Sequence, residues 1–512
     1  MVEQIILRQS WAETLRAIQD RRVVALLFLG FSAGLPILLV FSTLSVWLRE
    51  AEVSRATIGF FSWAALGYAF KFVWAPVIDA LPVPLLTRRF GRRRGWLLIS
   101  QAAVIGALVA MALTDPLLSL TQMAAFAVLL GFSSATQDVI IDAYRIEVAD
   151  EELQGLLSAA YITGYRVGML IAGAGALEIA GVLGEQGVYS PRAWSVSYLI
   201  MAGAMLVGVA TTLLVPEPNK KCYEPGTEQS AADYARFGSG LFFALGAFVA
   251  VFFISADFTT AAKGFLAMAD GPTKGLWSFT VEAIRLGVAV SLSYGVVRVL
   301  IAAGLVPRAM VESTYVAPFK DFFSRYGRTA LLIIALISTY RIADVVMGVM
   351  ANVFYVDIGF EKQEIGRITK GFGLIMTIVG GFFGGILTIR FGVMPILFLG
   401  AALAAATNLL FAVMAGMGND IRMLIAVISA DNLSAGIASA AFVAYLAGLT
   451  NSTFTATQYA LFSSIMLLLP KLLAGYSGVV VETVGYSYFF IGTAVMGLPA
   501  LVLIVLVVRL RW

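Results

Sequence analysis

Fourteen apolar stretches, each about long enough to cross a bilayer, dominate this 512-residue sequence. They lie near 23–47, 57–81, 95–114, 119–142, 156–182, 193–215, 239–257, 280–304, 329–352, 365–388, 392–416, 422–447, 456–481 and 486–508. A helix rises about 1.5 Å per residue, so ~20 residues cover the ~30 Å hydrocarbon core. Hydrophobic residues make up 60% of the chain and charged ones 13%. Soluble domains run at about 45–50% and about 25%. Lipid must therefore be the solvent for much of the surface, and the expected class is an all-α membrane protein. The first stretch, Val23 to Trp47 behind Arg21 and Arg22, is too long for a cleaved signal's apolar region. Gly34, Pro36, Gly380, Gly381 and Pro470 fall inside stretches, where a bundle tolerates them as sites of close contact and bending.

The chemistry available is narrow. The chain has no histidine and one cysteine, Cys222. Histidine relays, histidine metal sites and Ser-His-Asp catalysis are excluded, and so is a disulfide framework. Without a nucleophile–base set the expectation is that the chain is not an enzyme and needs no cofactor or metal. Nothing in it calls for nucleic acid.

An even number of spans puts both termini on one side. With the N-terminus inside, the inner segments hold 20 of the 35 lysines and arginines, the outer loops 7 and the spans 8. The positive-inside rule then places both termini in the cytoplasm.

The chain also repeats itself weakly. Ala56-Thr57-Ile58-Gly59 answers Gln363-Glu364-Ile365-Gly366. Gln137-Asp138 answers Asp431-Asn432, and Tyr165-Arg166 before Gly168 answers Pro470-Lys471 before Gly475. The offsets are 307, 294 and 305 residues. Two parallel six-helix halves of this size resemble a major facilitator, with the substrate site between halves near the midplane. The expected organisation is a first half at 1–215, polar loops with two inserted transmembrane helices at 216–328, and a second half at 329–512. Within the middle segment, Pro318 to Phe323 reads as a short amphipathic helix at the membrane surface.

Seven charged groups fall inside spans: Lys71, Asp138, Arg166, Arg341, Asp344, Asp431 and Lys471. Facing lipid, they would cost on the order of 20 kcal/mol together, at roughly 2.5–3.5 kcal/mol each. They must pair or line a watery path. Depth counted from the adjoining hairpins pairs Asp138 with Arg166 and Asp431 with Lys471. Arg341 and Asp344, three apart, share a helix face, as do Asp138 and Asp142, four apart. Two carboxylates so close affect each other's hold on a proton. Asp138, Asp142, Asp344 and Asp431 are the candidate proton carriers. Lys71, Arg166, Arg341 and Lys471, with the amides Gln137 and Asn432, are the candidate substrate contacts. The other reading of these charges, as ion pairs that lock the bundle, stays open.

Between the second and third spans, Trp74-Ala75-Pro76-Val77-Ile78-Asp79 leads to Arg88-Arg89-Phe90-Gly91-Arg92-Arg93-Arg94-Gly95-Trp96. This is either topology signalling by positive charge or a gate built of Asp79, Arg92 and Arg93. The matching loop of the second half, Gly384 to Gly392, lacks the acidic residue.

At these residues the chain resembles the bacterial muropeptide permease (AmpG) family. The stretches that carry the resemblance are Gly59-Phe60-Phe61-Ser62, Phe70 to Pro76, Gly91 to Trp96, Ser134 to Tyr144, Gly164 to Leu170, Pro318 to Phe323 and Ala456 to Leu461. They span both halves. The resemblance implies proton-driven import of anhydro-muropeptides from periplasm to cytoplasm across the inner membrane, by a multi-pass protein working as a monomer in the bilayer. Lys71, Arg166 and Lys471 would suit the ligand's peptide carboxylates. Some family members carry extra helices after the second half, whereas here the extra pair lies between halves. Related acetyl-coenzyme A transporters share part of the pattern, so another large anion, or a non-transporting assembly role, is the alternative.

Overall fold

The computed structural model describes residues 19–40, 42–53, 68, 71–150, 153–184, 189–218, 230–266, 273–360, 362–474 and 477–510. The side chains of Lys370 and Lys471 are also outside the described set. Among the described residues there is helix and turn, and no strand.

The first half holds α1 (Arg21–Val40, resuming as Ser42–Glu50), α2 (Ala75–Ala80), α3 (Arg92–Ala112), α4 (Leu120–Val148), α5 (Gln154–Leu170) and α6 (Pro191–Ala204). A separate compact unit, residues 223–321, holds α7 (Ala231–Ile254) and α8 (Thr273–Ala302), which pack on each other. The second half holds α9 (Thr329–Thr339), α10 (Ile342–Asp357), α11 (Gly373–Phe391), α12 (Val393–Met417), α13 (Ile421–Leu449), α14 (Thr455–Ala474), α15 (Ser477–Met496) and α16 (Leu498–Leu510). The two halves together form one compact unit.

Among the described residues, eleven helices are long and apolar enough to cross a membrane. The expected count of fourteen is not reproduced one for one. Most of the second stretch is outside the described residues, and the eighth lies almost wholly within the 30-residue helix α8. The ninth breaks at Tyr340-Arg341 into α9 and α10. Large apolar side chains such as Leu214, Leu331, Phe242 and Ile254 stand exposed, each by more than two thirds. Water would not tolerate apolar surface on this scale, whereas lipid does.

In lipid, helices associate by close packing rather than by the hydrophobic effect, and small residues make that possible. A Cβ on Gly30 or Gly34 of α1 would stand 2.2 or 2.0 Å from the carbonyl oxygen of Tyr161 or Tyr165 on α5. Gly164 and Gly168 meet α1 in the same way. Gly380 and Gly384 of α11 lie against Leu433 and Ile437 of α13. Backbone therefore touches backbone in both pairs.

Helix ends fix the internal register. Gly91 (φ 90°, ψ 172°) and Gly392 (φ 86°, ψ 165°) close one helix and open the next with the same backbone. These positive φ values suit glycine alone. Positions 91 and 392, 92 and 393, 120 and 421, and 154 and 455 are all 301 apart, and α4 and α13 are both 29 residues long. The register corrects the equivalence drawn from sequence. Asp138 answers Ser439, not Asp431 or Asn432, which lie about two turns nearer the far end.

The Pro318–Phe323 segment is helical, within Ala317–Tyr326. Phe322 is buried, with its ring centre 5.1 Å from that of Phe462, while Phe319 and Phe323 are exposed.

Candidate functional site

The end of the bundle where α3, α5, α12 and α14 begin carries the Arg92–Arg94 run and is called the basic end here. Arg93 is buried in its middle, 1% exposed. Its guanidinium forks onto Glu147 at the end of α4, at 2.5 and 2.9 Å, and reaches Asp79 of α2 at 2.7 Å. Asp79 in turn accepts from the backbone N–H groups of Ala456 (3.2 Å) and Thr457 (2.8 Å) and from the Thr457 hydroxyl (2.7 Å). These N–H groups open α14, where a helix has unsatisfied donors and a positive end. A carboxylate of the first half thus caps a helix of the second. Arg92 donates to the Asp79 backbone carbonyl. Glu217 accepts from the N–H groups of Arg93 and Arg94 at 2.8 and 3.1 Å, capping α3.

Small residues seal the same end. A Cβ on Gly155 of α5 would stand 2.8 Å from Thr388 of α11, and one on Gly385 would stand 2.9 Å from Ala159. These contacts between halves lie within about two turns of the basic end. Further along, Arg166 is exposed and Arg341 partly so. The halves are closed at the basic end.

Just past the closure, α4 carries a polar cluster. Lys71, on a short turn before α2, places Nζ 3.9 Å from Asp142 Oδ2, and Arg145 reaches Asp142 Oδ1 at 3.4 Å. Asp138, one turn deeper, is 6% exposed, and its Oδ1 has no hydrogen-bond partner among the described residues. The charges of Lys71 and Asp142 both act on it. Around them stand Tyr68, bonded to Ser134 at 2.5 Å, and Tyr161 and Tyr165, with rings 6.0 Å apart. Trp74 donates to Thr136 at 3.1 Å. Gln137 points the other way and donates to Ser32 of α1 at 3.2 Å, so it ties α4 to α1.

The second half carries a looser set. Arg341 lies 3.6 Å from Asp344 and donates to Ser439 at 2.7 Å. Asp431 accepts from Thr407 at 3.3 Å, and the charges of Asp344 and Arg341 act on it. Asn432 is held by Thr377 at 2.9 Å.

One expected pairing changes. No ion pair joins Asp138 to Arg166 among the described residues. Lys71 stands beside the α4 carboxylates instead, and Arg166 lies where the charge of Arg341, from the other half, acts on it. Depth along the helices does not choose the partner, because α5 lies along α1 rather than along α4. The pairing of Asp431 with Lys471 falls on a side chain outside the described residues. The Arg341–Asp344 contact and the Asp79–Arg93 contact are present as expected. Sequence reasoning missed Glu147, Glu217, Arg145 and Thr457. Glu147 lies five residues past Asp142 on the same helix, so a wider search for charge near the basic turn would have included it.

Three comparisons bear on this arrangement. A family model described as acetyl-coenzyme A transporter 1 matches residues 22–181. The protein designated AmpG 4 in Rickettsia felis is 30% identical over 483 residues, covering 94% of this chain and 95% of that one. The anhydromuropeptide permease of Escherichia coli K12 is 30% identical over 495 residues, covering 96% of this chain and 81% of that one. Among solved structures, the fucose:proton symporter FucP of E. coli aligns with a TM-score of 0.60 at 12% identity, over 96% of this chain and 98% of that one. The proton:xylose symporter XylE aligns at 0.56 and 12%, over 96% and 95%. These structures share the major facilitator fold.

Proposed function

The chain belongs to the AmpG family of major facilitator transporters, and from that premise we propose that it imports anhydro-muropeptides across the bacterial inner membrane by alternating access, driven by protons. The basic end and both termini face the cytoplasm, in line with the 20 cations counted on that side against 7 on the other. One chain supplies both halves of the site, so a monomer suffices.

One observation carries the coupling mechanism: Asp138 is buried with an oxygen that has no donor among the described residues, beside the Lys71–Asp142 pair and directly behind the closed end. Such an oxygen takes a proton without first surrendering a hydrogen bond. Asp142, four residues away on the same face, receives the change of charge. The substrate contacts are Arg166 and Arg341, one from each half. Two guanidinium groups that share no carboxylate fit an anionic ligand placed between them, and a planar fork suits a carboxylate. Asp344 holds Arg341 in place, and Asp431 with Asn432 completes the wall on that side. Gln137 serves as a brace to α1 rather than as a ligand contact.

Uptake of labelled anhydro-muropeptide into proteoliposomes tests this reading. An inward proton gradient is expected to drive accumulation, and Asp138→Asn to reduce it by about tenfold or more while leaving gradient-free exchange, as for loss of a proton carrier. Accumulation that ignores the gradient would sink the coupling.

The family-model match over residues 22–181 supports a second reading, in which the anion is an acyl-coenzyme A. Competition by coenzyme A thioesters, with no competition by muropeptides, would favour it.

A further inference from the structure

The mechanism above leaves one buried cation without a task. Arg145 lies on α4, three residues past Asp142, and is fully buried. Its Nη2 is 3.4 Å from Asp142 Oδ1, and its Nη1 is 3.0 Å from Ser158 Oγ and 3.4 Å from Gln154 Oε1. Its guanidinium carbon sits 5.1 Å from the centre of the Tyr459 ring, which belongs to α14 of the other half. Its Nε is buried with no hydrogen-bond partner among the described residues. An arginine in place only to lock α4 to α5 would use its donors there, because leaving one unused in the interior is costly.

The position of Arg145 is particular. Asp142 is shared by two cations, Lys71 and Arg145. The groups facing it are Asp138 and Arg145 from α4, Lys71 from the turn before α2, Tyr161 and Tyr165 from α5, and Tyr459 from α14. Of these, only Tyr459 belongs to the second half. It lies two residues past Thr457, which Asp79 holds. Any opening of the basic end that frees α14 from Asp79 also draws the Tyr459 ring off Arg145. The guanidinium loses its cation–π partner and turns wholly to Asp142. In the other direction, neutralising Asp142 removes the one charged partner of Arg145 among the described residues and leaves the ring, Ser158 and Gln154.

We propose that Arg145 is a positioning residue that links the charge on the Asp138–Asp142 pair to closure of the basic end, with Tyr459 as its contact on the moving half. The proposal rests on the proton-coupled reading given above. It calls for no covalent step: the proton enters and leaves on carboxylate oxygens, and Arg145 keeps its charge throughout.

The test compares two transport modes of the full chain in proteoliposomes with labelled anhydro-muropeptide. Exchange at equal pH needs the gate to move, and accumulation under an inward proton gradient needs the gate to answer the proton. Arg145→Gln is expected to keep exchange within about threefold and to lose accumulation by about tenfold or more, the size of a usual coupling between two sites. Tyr459→Leu, on the other half, is expected to show the same split. Unchanged accumulation in Arg145→Gln overturns the proposal. If Arg145→Gln fails to fold, Tyr459→Leu decides alone: the split supports the link, and native accumulation, or equal loss of both modes, overturns it. Wild-type protein that shows no gradient-driven accumulation is a separate failure, of the proton-coupled reading itself.

Discussion

The turns at Gly91 and Gly392 have the same backbone and stand 301 residues apart, yet among the described residues only the first gathers carboxylates, while the second keeps a single arginine, Arg390, in the last turn of α11. Around Gly91 are Arg92, Arg93 and Arg94, with Asp79 and Glu147 closing on Arg93. At the matching positions of the second half stand Val393, Met394 and Pro395, with Gly380 and Gly448 in place of the two carboxylates. The glycine turn is therefore a property of the fold, needed wherever two antiparallel helices join with that φ. The ion network is an addition to one copy of it. A clamp between two halves needs one half to grip and the other to be gripped. Here the first half supplies Asp79, and the second offers the bare N–H groups at the start of α14. Symmetric charges would oppose each other across the contact.

The largest expected effect comes from breaking the charged copy. Asp79→Asn removes the anion that holds both Arg93 and the α14 N-terminus. Removing one partner from a buried ion pair costs about 3–5 kcal/mol. The closed state should lose that much, and gradient-driven uptake should fall about a hundredfold in protein that still elutes as a folded monomer.

Next comes Arg166→Ala, away from both turns. If Arg166 and Arg341 bind the ligand together, the KM for muropeptide should rise about tenfold or more, as expected for loss of one charge-assisted contact worth about 1.5–3 kcal/mol. The closure of the basic end should be unaffected. An equal fall in uptake with an unchanged KM would remove Arg166 from the binding site.

The two glycines offer a sharper contrast. Each →Ala substitution forces a side chain into positive φ, at roughly 1–2 kcal/mol. At Gly91 the new Cβ would also stand 2.3 Å from the Glu217 side chain, which caps α3, whereas nothing but Pro395, at 4.0 Å, approaches Gly392. Thermal unfolding in detergent should thus drop further for Gly91→Ala than for Gly392→Ala. Equal drops would mean that the Glu217 cap contributes little.

Smallest is Thr457→Ala. It removes one of the three hydrogen bonds that α14 gives to Asp79 and leaves the two backbone donors and Arg93, for a loss of about 1 kcal/mol. A modest reduction in uptake, well short of that from Asp79→Asn, should follow.

Much of this was legible in the sequence. Long apolar runs dictate spanning helices because backbone groups in lipid have no other partners, so the fold class followed directly. Asp79 with Arg93, and Arg341 with Asp344, were legible because their sequence spacing confines their geometry: a short turn for one pair, three residues of helix for the other. The identity of the partners across helices was not. Counting depth from the hairpin pairs Asp138 with Arg166, but α5 lies along α1 rather than along α4, so depth does not choose the partner. Lys71, on a turn rather than in a regular helix, reaches Asp142 instead. The repeat read from Gln137-Asp138 and Asp431-Asn432 was misplaced by two turns because the helix interior preserves a face rather than a residue, whereas the glycine turns preserve the register itself. Thr457 was invisible as a gate residue, since an uncharged hydroxyl and a backbone N–H at a helix start give no sign in the sequence of a carboxylate 378 residues away.

The central claim is that Asp79 is the polar clamp between the two halves at the basic end, beside the glycine-lined contact of α5 with α11. Spin labels at Arg88→Cys and Ser452→Cys, exposed positions on opposite halves near that end, in a Cys222→Ser background, report the separation directly. With Asp79 present, a single short distance should dominate, and Asp79→Asn should add a longer population as the larger share. A distance distribution unchanged by Asp79→Asn would contradict the account and leave the glycine-lined contact of α5 with α11 as the closure.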